Sequence, residues 1–182
     1  MTSLFLSQEY NHFLSETGFL IPFRISISRE CQDVGIIQGY IQKDGGQLKR
    51  FFSRRAIING GPYFDGSISE EEIRNLLREC IKGLKGKVIY IESRNFQDYS
   101  KFNHVFEECG FIYEPHYDFI INTESLEVAE ANLGKSRKRD IKASLKNGAF
   151  IIEDASEEQI KSFYGVLSNL YKTKVKTPLF PL

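Results

Sequence analysis

The sequence predicts a mixed α+β (α/β) fold, a central sheet flanked by helices, and three observations carry that prediction. Residues 20–60 hold stretches in which apolar and polar side chains alternate, the period of half-buried strands. Ser69 and Glu72 form an S-x-x-E capping box. Ile73, Leu76, Leu77, Cys80, Ile81 and Leu84 follow it at helical spacing as one apolar stripe. Lys87-Val88-Ile89-Tyr90-Ile91 comes next, short and apolar enough for a buried central strand.

The elements follow in chain order. Gln8–Glu16 is a short helix with Tyr10, Phe13 and Leu14 on one side, closed by Thr17-Gly18. Phe23–Ser28 and Val34–Gln42 are strands; Lys43-Asp44-Gly45-Gly46 is turn chemistry; Gln47–Ile58 is a third strand, so that residues 20–60 form an antiparallel meander. The capped helix and the 87–91 strand succeed them. Asp98–Cys109 is a helix with Tyr99, Phe102, Val105 and Phe106 inward, stopped by Gly110. Phe111–Tyr113 and Asp118–Asn122 are two further strands. A short helix near Ser125–Leu133, a basic helix at Lys135–Lys146 with an Asn147-Gly148 stop, and a strand at Ala149–Glu153 follow. The last helix starts at a second capping box, Ser156 and Gln159, and its face of Ile160, Phe163, Val166, Leu167 and Leu170 is apolar.

Composition narrows the classes. With 182 residues, 41% hydrophobic and 13% aromatic, the chain can bury a core and is not a disordered one. No apolar run approaches the ~18 residues of a membrane helix, and the first residues lack the basic and apolar regions of a signal peptide. Three scattered cysteines (Cys31, Cys80, Cys109) and three histidines without ligand spacing read as a reduced, cytoplasmic protein with no structural zinc. The formal net charge is zero, but it is unevenly laid out. Residues 1–133 carry 14 basic and 19 acidic side chains, and residues 134–182 carry ten basic and five acidic. An anionic partner would be drawn to the C-terminal part.

The densest constellation is that basic helix. Six of the twelve residues Lys135–Lys146 are basic against one acid, and Lys135, Arg139, Lys142 and Lys146 share a face. Arg137 and Lys138 complete the set, with Ile141 and Leu145 expected to anchor a neighbouring face to the body. Arginine offers a bidentate fork to phosphate and lysine a mobile point charge; the helix N-terminus adds partial positive charge. A solvated surface face is the plainer alternative. Arg54 and Arg55, leading into Gly60-Gly61-Pro62, form a basic strand that ends in a bend able to line a cleft, or an ordinary strand terminus. Arg94, in Glu92-Ser93-Arg94-Asn95 just past the expected central strand, is placed to read an anion, to pair with Glu92 or to cap the next helix. Lys172, with Lys174 and Lys176, follows the last helix as a tail. No phosphate loop, dinucleotide fingerprint or nucleophile elbow is present. His104 falls on the outer face of its helix, His116 between two expected strands is a candidate base, and Cys80 is a buried, inert thiol.

The order α β β β α β α β β resembles the core of the GNAT acyltransferase fold, entered after its first strand. Ser53-Arg54-Arg55…Gly60-Gly61-Pro62, Tyr90-Ile91-Glu92-Ser93-Arg94-Asn95 and the K-x-R-x-x-I-K texture of Lys135–Gly148 resemble one branch of it, the FemAB-like (Fem-type) aminoacyltransferases. That resemblance implies two GNAT-like domains in tandem: residues 1–116 as the first and 117–182 as the beginning of a second, incomplete one. It implies transfer of an amino acid from aminoacyl-tRNA to a nucleotide- or lipid-linked peptidoglycan precursor, with aminoacyl-tRNA a co-substrate and no bound cofactor. The Lys135–Lys146 helix and Lys172 would lie near the phosphates of precursor or tRNA. No catalytic residue carries over, because the family's catalytic surroundings fall largely in the later part of the second domain. The Gln-x-x-Trp start of the family is replaced by Gln8 and Tyr10, and the chain has no Trp. The acetyl-CoA loop [QR]-x-x-G-x-[GA] is absent, which favours the Fem-type branch. The alternatives are an acyl-CoA-dependent GNAT N-acyltransferase acting on a sugar or amine, and a non-catalytic module for RNA or another anionic ligand. Oligomeric state is not legible in the sequence.

Overall fold

The computed structural model describes residues 3–42, 52–117, 121–176 and 179. The chain divides into two compact units, Met1–His116 and Tyr117–Leu182.

The first unit is α+β, a mixed sheet with helices on both faces. A 3₁₀ turn, Leu4–Leu6, leads into α1 (Gln8–Glu16), whose N-cap Ser7 accepts a hydrogen bond from the Tyr10 N–H. Strands β1 (Leu20–Arg29) and β2 (Gln32–Gln42) form an antiparallel hairpin; Glu30 and Cys31 turn it with positive φ. Strand β3 (Arg55–Gly60) is antiparallel to β2, with Tyr40 opposite Ile57. A Cβ on Gly39 would stand 2.3 Å from the Ile57 carbonyl oxygen, so this close approach of β2 and β3 requires glycine. Among the described residues the strand begins at Arg55, opposite Gln42, rather than spanning the expected 47–58. Phe52 and Ser53 precede the strand, and residues 47–51 lie outside the described ones.

After β3 the chain kinks. Gly60 and Gly61 both hold positive φ (81° and 80°), and the chain rejoins β2 as β4 (Tyr63–Phe64), with Phe64 opposite Gly35. Helix α2 (Glu70–Leu84) follows a complete capping box between Ser69 and Glu72. It buries Ile73, Leu76, Leu77, Cys80 and Leu84 against Ile37, Ile41, Ala56 and Ile58 of the sheet. A fully buried Leu or Ile contributes about 1.5–3 kcal/mol, so this stripe is the backbone of the core. Strand β5 (Tyr90–Asn95) runs parallel to β3, from Tyr90 opposite Arg55 to Asn95 opposite Gly60. A 3₁₀ turn, Ser100–Phe102, and α3 (Asn103–Glu108) then pack Val105, Phe102 and Phe106 onto the α2 side. On the other face α1 covers Tyr40 and Ile57 with Leu14.

Two expectations for this unit need correction. The 87–91 strand is displaced to 90–95, because the Lys87 and Val88 N–H groups donate to the Leu84 carbonyl to close α2. It also ends the sheet rather than centring it: among the described residues β5 pairs with β3 alone, and Tyr90 is 50% exposed. Phe111–Tyr113 is not a strand; Ile112 is 85% exposed.

The second unit comprises α4 (Leu126–Asn132, capped by Ser125), α5 (Lys135–Lys146) and α6 (Glu157–Leu170), the last with its Ser156–Gln159 capping box complete. A π-helical turn, Tyr171–Val175, continues α6, so Lys172 and Lys174 extend a helix rather than a loose tail. The 118–122 strand falls partly outside the described residues, and Ile121 and Asn122 are irregular. Ala149–Glu153 is not a strand either, and Ile151 is 89% exposed. Ile141 and Leu145 are exposed, not anchors. Among the described residues no helix is long and apolar enough to cross a membrane.

Candidate functional site

In the parallel pair β3/β5, matched residues point to the same face. Ala56 and Ile91 enter the core under α2. Arg55, Ile57 and Asn59 of β3, with Tyr90, Glu92 and Arg94 of β5, face the α1 side. Helix α1 covers this face only as far as Ile57. Over β5, Tyr90 and Arg94 are exposed, and a chain of polar contacts runs across this face. Arg55 donates through Nη2 to Gln42 Oε1 (3.3 Å) and through Nη1 to the Tyr90 hydroxyl (3.3 Å). Arg55 Nη1 also stands 3.7 Å from Glu92 Oε2, and Arg94 Nε donates to Glu92 Oε1 at 2.6 Å. Glu92 is therefore held between two guanidinium groups.

At the C-terminal end of the pair the Gly60-Gly61 kink takes residues 58–62 out of the β2 register. A Cβ on Gly61 would lie 2.6 Å from Asn95 Oδ1, and one on Gly60 3.0 Å from a Phe5 ring carbon. The Tyr99 hydroxyl donates to the Pro62 carbonyl and fixes the exit of the kink; burial pushes that phenol up to about 12. Asn59 donates to the Tyr10 hydroxyl (3.0 Å). Tyr10 belongs to a row of rings: Phe13 stacks on Tyr10 (6.4 Å), Phe5 meets Tyr10 edge-on (5.2 Å), and Phe96 meets Phe5 (5.7 Å). Gln38, buried in β2, donates to the Phe5 and Ser7 carbonyls and so holds this row onto the sheet.

Arg55, Gly60, Gly61 and Arg94 are thus brought onto one strand pair. Arg54 is not: it precedes β3 at the opposite end, reaching the Gly86 carbonyl (3.4 Å). There it lines a groove of about 490 Å³ with Phe23, Ile25 and Leu84, apart from the polar chain. Lys135, Arg137, Lys138, Arg139 and Lys142 lie along α5 and Lys172 in the π-helical turn, all in the second unit. Lys138 is half-buried and the others are exposed; Arg139 has a loose contact with Asp140 (3.6 Å). Glu92 and Tyr90 are central to the polar chain, yet the sequence offered Glu92 only as a partner for Arg94. The missed signal is the i, i+2 spacing of Tyr90, Glu92 and Arg94, which places all three on one strand face. His104 forms a surface pair with Glu70 (3.1 Å), and His116 lies exposed in an irregular segment rather than between strands.

No protein family and no curated protein matches the chain. Among solved structures it is similar to one described as a "probable acetyltransferase" (16% identity, 64% of this chain and 77% of that one, TM-score 0.43). It is also similar to a protein of Thermus thermophilus (15% identity, 66% and 82%, TM-score 0.41). A third is the aminoglycoside 6'-N-acetyltransferase AAC(6')-IG of Acinetobacter haemolyticus (10% identity, 66% and 85%, TM-score 0.40). Likenesses this distant assign no substrate and no reaction to this chain.

Proposed function

We propose that residues 1–116 form a GNAT-type unit that transfers an acyl group to an amine. The observation that carries this reading is the parallel β3/β5 pair, which ends in a double-glycine kink beside an open polar strand face. Strand ends of this kind are where ligands settle in sheets with crossover helices. The kink removes peptide groups from the β2 ladder, giving the donor an amide edge to lie against. The acceptor amine sits on the open face beside Glu92. Its nitrogen bonds to the donor's carbonyl carbon, and the ester C–O (or thioester C–S) bond breaks. The amine proton passes to Glu92 and then to the leaving oxygen or sulfur. The barrier falls through positioning and through donors aimed at the oxyanion.

The finer form is Fem-type: aminoacyl-tRNA as donor and a nucleotide- or lipid-linked cell-wall precursor as acceptor, with no bound cofactor. Its support is α5, where five of six cations (Lys135, Lys138, Arg139, Lys142, Lys146) fall within about a third of the helix circumference. That is a stripe suited to phosphates. Incubating the chain with labelled aminoacyl-tRNA or labelled acetyl-CoA, and a muropeptide amine, decides between donors. Transfer from aminoacyl-tRNA is expected. Transfer from acetyl-CoA alone overturns the tRNA form, and turnover with neither donor overturns acyl transfer.

A further inference from the structure

We propose that the Glu92–Arg94 pair recognises a zwitterionic acceptor, an α-amino acid with an aromatic or large apolar side chain. The acceptor's ammonium takes the place of Arg94 on Glu92, and its carboxylate takes Arg94. The inference rests on the general acyl-transfer reading and not on its Fem-type form, since it names a free amino acid as the acceptor.

Three observations converge. First, the two charges are neighbours on one strand face, 2.6 Å apart, with Glu92 half-buried and Arg94 exposed (side chains 33% and 46%). An exposed ion pair contributes little, so a ligand that replaces each partner by a like charge opens it at small cost. An α-amino acid carries its two opposite charges on a single carbon and matches adjacent sites. Second, the pair is asymmetrically held. Glu92 stays in place because Arg55, itself tied to Gln42 and Tyr90, contacts its other oxygen. Arg94 is held only through Nε, and among the described residues its two Nη groups make no hydrogen bond. That leaves a fork for a carboxylate. Third, apolar surface adjoins the pair. Asn59, opposite Arg94 in the register, holds Tyr10. The row Phe13–Tyr10–Phe5–Phe96 starts there and ends two residues beyond Arg94, and both Phe13 and Phe96 are mostly exposed. Phe96, the exposed ring two residues beyond Arg94, offers a surface for a ligand side chain.

Calorimetry on the full chain without any acyl donor tests this with three probes: L-phenylalanine, phenethylamine (no carboxylate) and 3-phenylpropionate (no amine). L-Phenylalanine is expected to bind, and each analogue at least tenfold more weakly. Arg94→Gln should bring L-phenylalanine down to the level that phenethylamine shows on the same variant, and should not weaken phenethylamine, whose ammonium no longer has to displace Arg94 from Glu92. Absence of L-phenylalanine binding, or an analogue binding equally well, overturns the proposal; this series on the unaltered chain decides it even where a variant folds poorly. With the donor left out, the two readings separate. Amine acylation without L-phenylalanine binding sinks the zwitterion site alone, and L-phenylalanine binding without turnover sinks acyl transfer alone.

Discussion

Glu72 joins two elements through a single carboxylate. It accepts both Arg29 contacts (2.6 and 2.7 Å) and the Ser69 N–H and hydroxyl (2.8 and 2.7 Å). The Arg29 hydrogen bonds foremost, then those from Ser69, lower its carboxyl from 4.5 to about 2. A depressed carboxyl contributes stability that is full above pH 4.5 and is lost as the pH falls through 2. Glu72→Gln keeps a capping side chain but discards the charge. Its melting temperature should therefore fall below that of the parent at pH 7, with the gap closing between pH 4.5 and 2; a gap independent of pH would count against this account. The cysteines make a second contrast at this scale. Burial pushes the Cys80 thiol up to about 12, whereas Cys31 is exposed on the β1–β2 turn. Iodoacetamide at pH 8 should alkylate Cys31 and spare Cys80, as peptide mass mapping of the native chain would read directly.

Among the elements, two glycines separate geometry that is required from geometry that is not. Gly61 combines positive φ with a Cβ position 2.6 Å from Asn95 Oδ1, so Gly61→Ala should cost about 1–3 kcal/mol in denaturant unfolding and push β5 away from the kink. Gly83 lies inside α2 with open space around it, and Gly83→Ala should stabilise by about 0.5–1 kcal/mol. The reverse order of the two would remove the kink from its structural role. The same contrast between local and non-local causes explains what was legible in the sequence. Helices α1, α2, α5 and α6 could be read because their signals are local: Ser69 with Glu72, Ser156 with Gln159, and the stripe from Ile73 to Leu84. A strand depends on a partner that its own residues do not specify. Phe111–Tyr113 and Ala149–Glu153 carry strand chemistry and find no ladder among the described residues. The shift of β5 to Tyr90–Asn95 has the same origin, a turn at Leu84 that consumes two residues of the apolar run. The candidate site was half legible for this reason. Arg55, Gly60, Gly61 and Arg94 stood out by type, but the role of Glu92 emerges only from the parallel register.

For the molecule as a whole, zero net charge conceals a division of labour. Residues 134–182 hold ten basic and five acidic side chains, and most of that excess lies on α5. Every α5 cation but the half-buried Lys138 is exposed, and the contact with the one acid, Asp140, is loose. These charges are therefore available to phosphates, and their contribution should appear as counterion release. On the Fem-type reading, binding of tRNA should weaken steeply with salt. Neutralising Lys138, Arg139 and Lys142 together to Gln should make the log–log slope shallower by about 2, at ~0.7 per lost phosphate contact. Neutralising the exposed Arg78, Lys85 and Lys87 in the first unit, an equal change in net charge, should leave the slope nearly unchanged. If both triple variants shift the slope alike, binding follows total charge and α5 is an ordinary solvated helix. If only the α5 variant does, the partner is read by the arrangement of charge, which a net charge of zero cannot reveal.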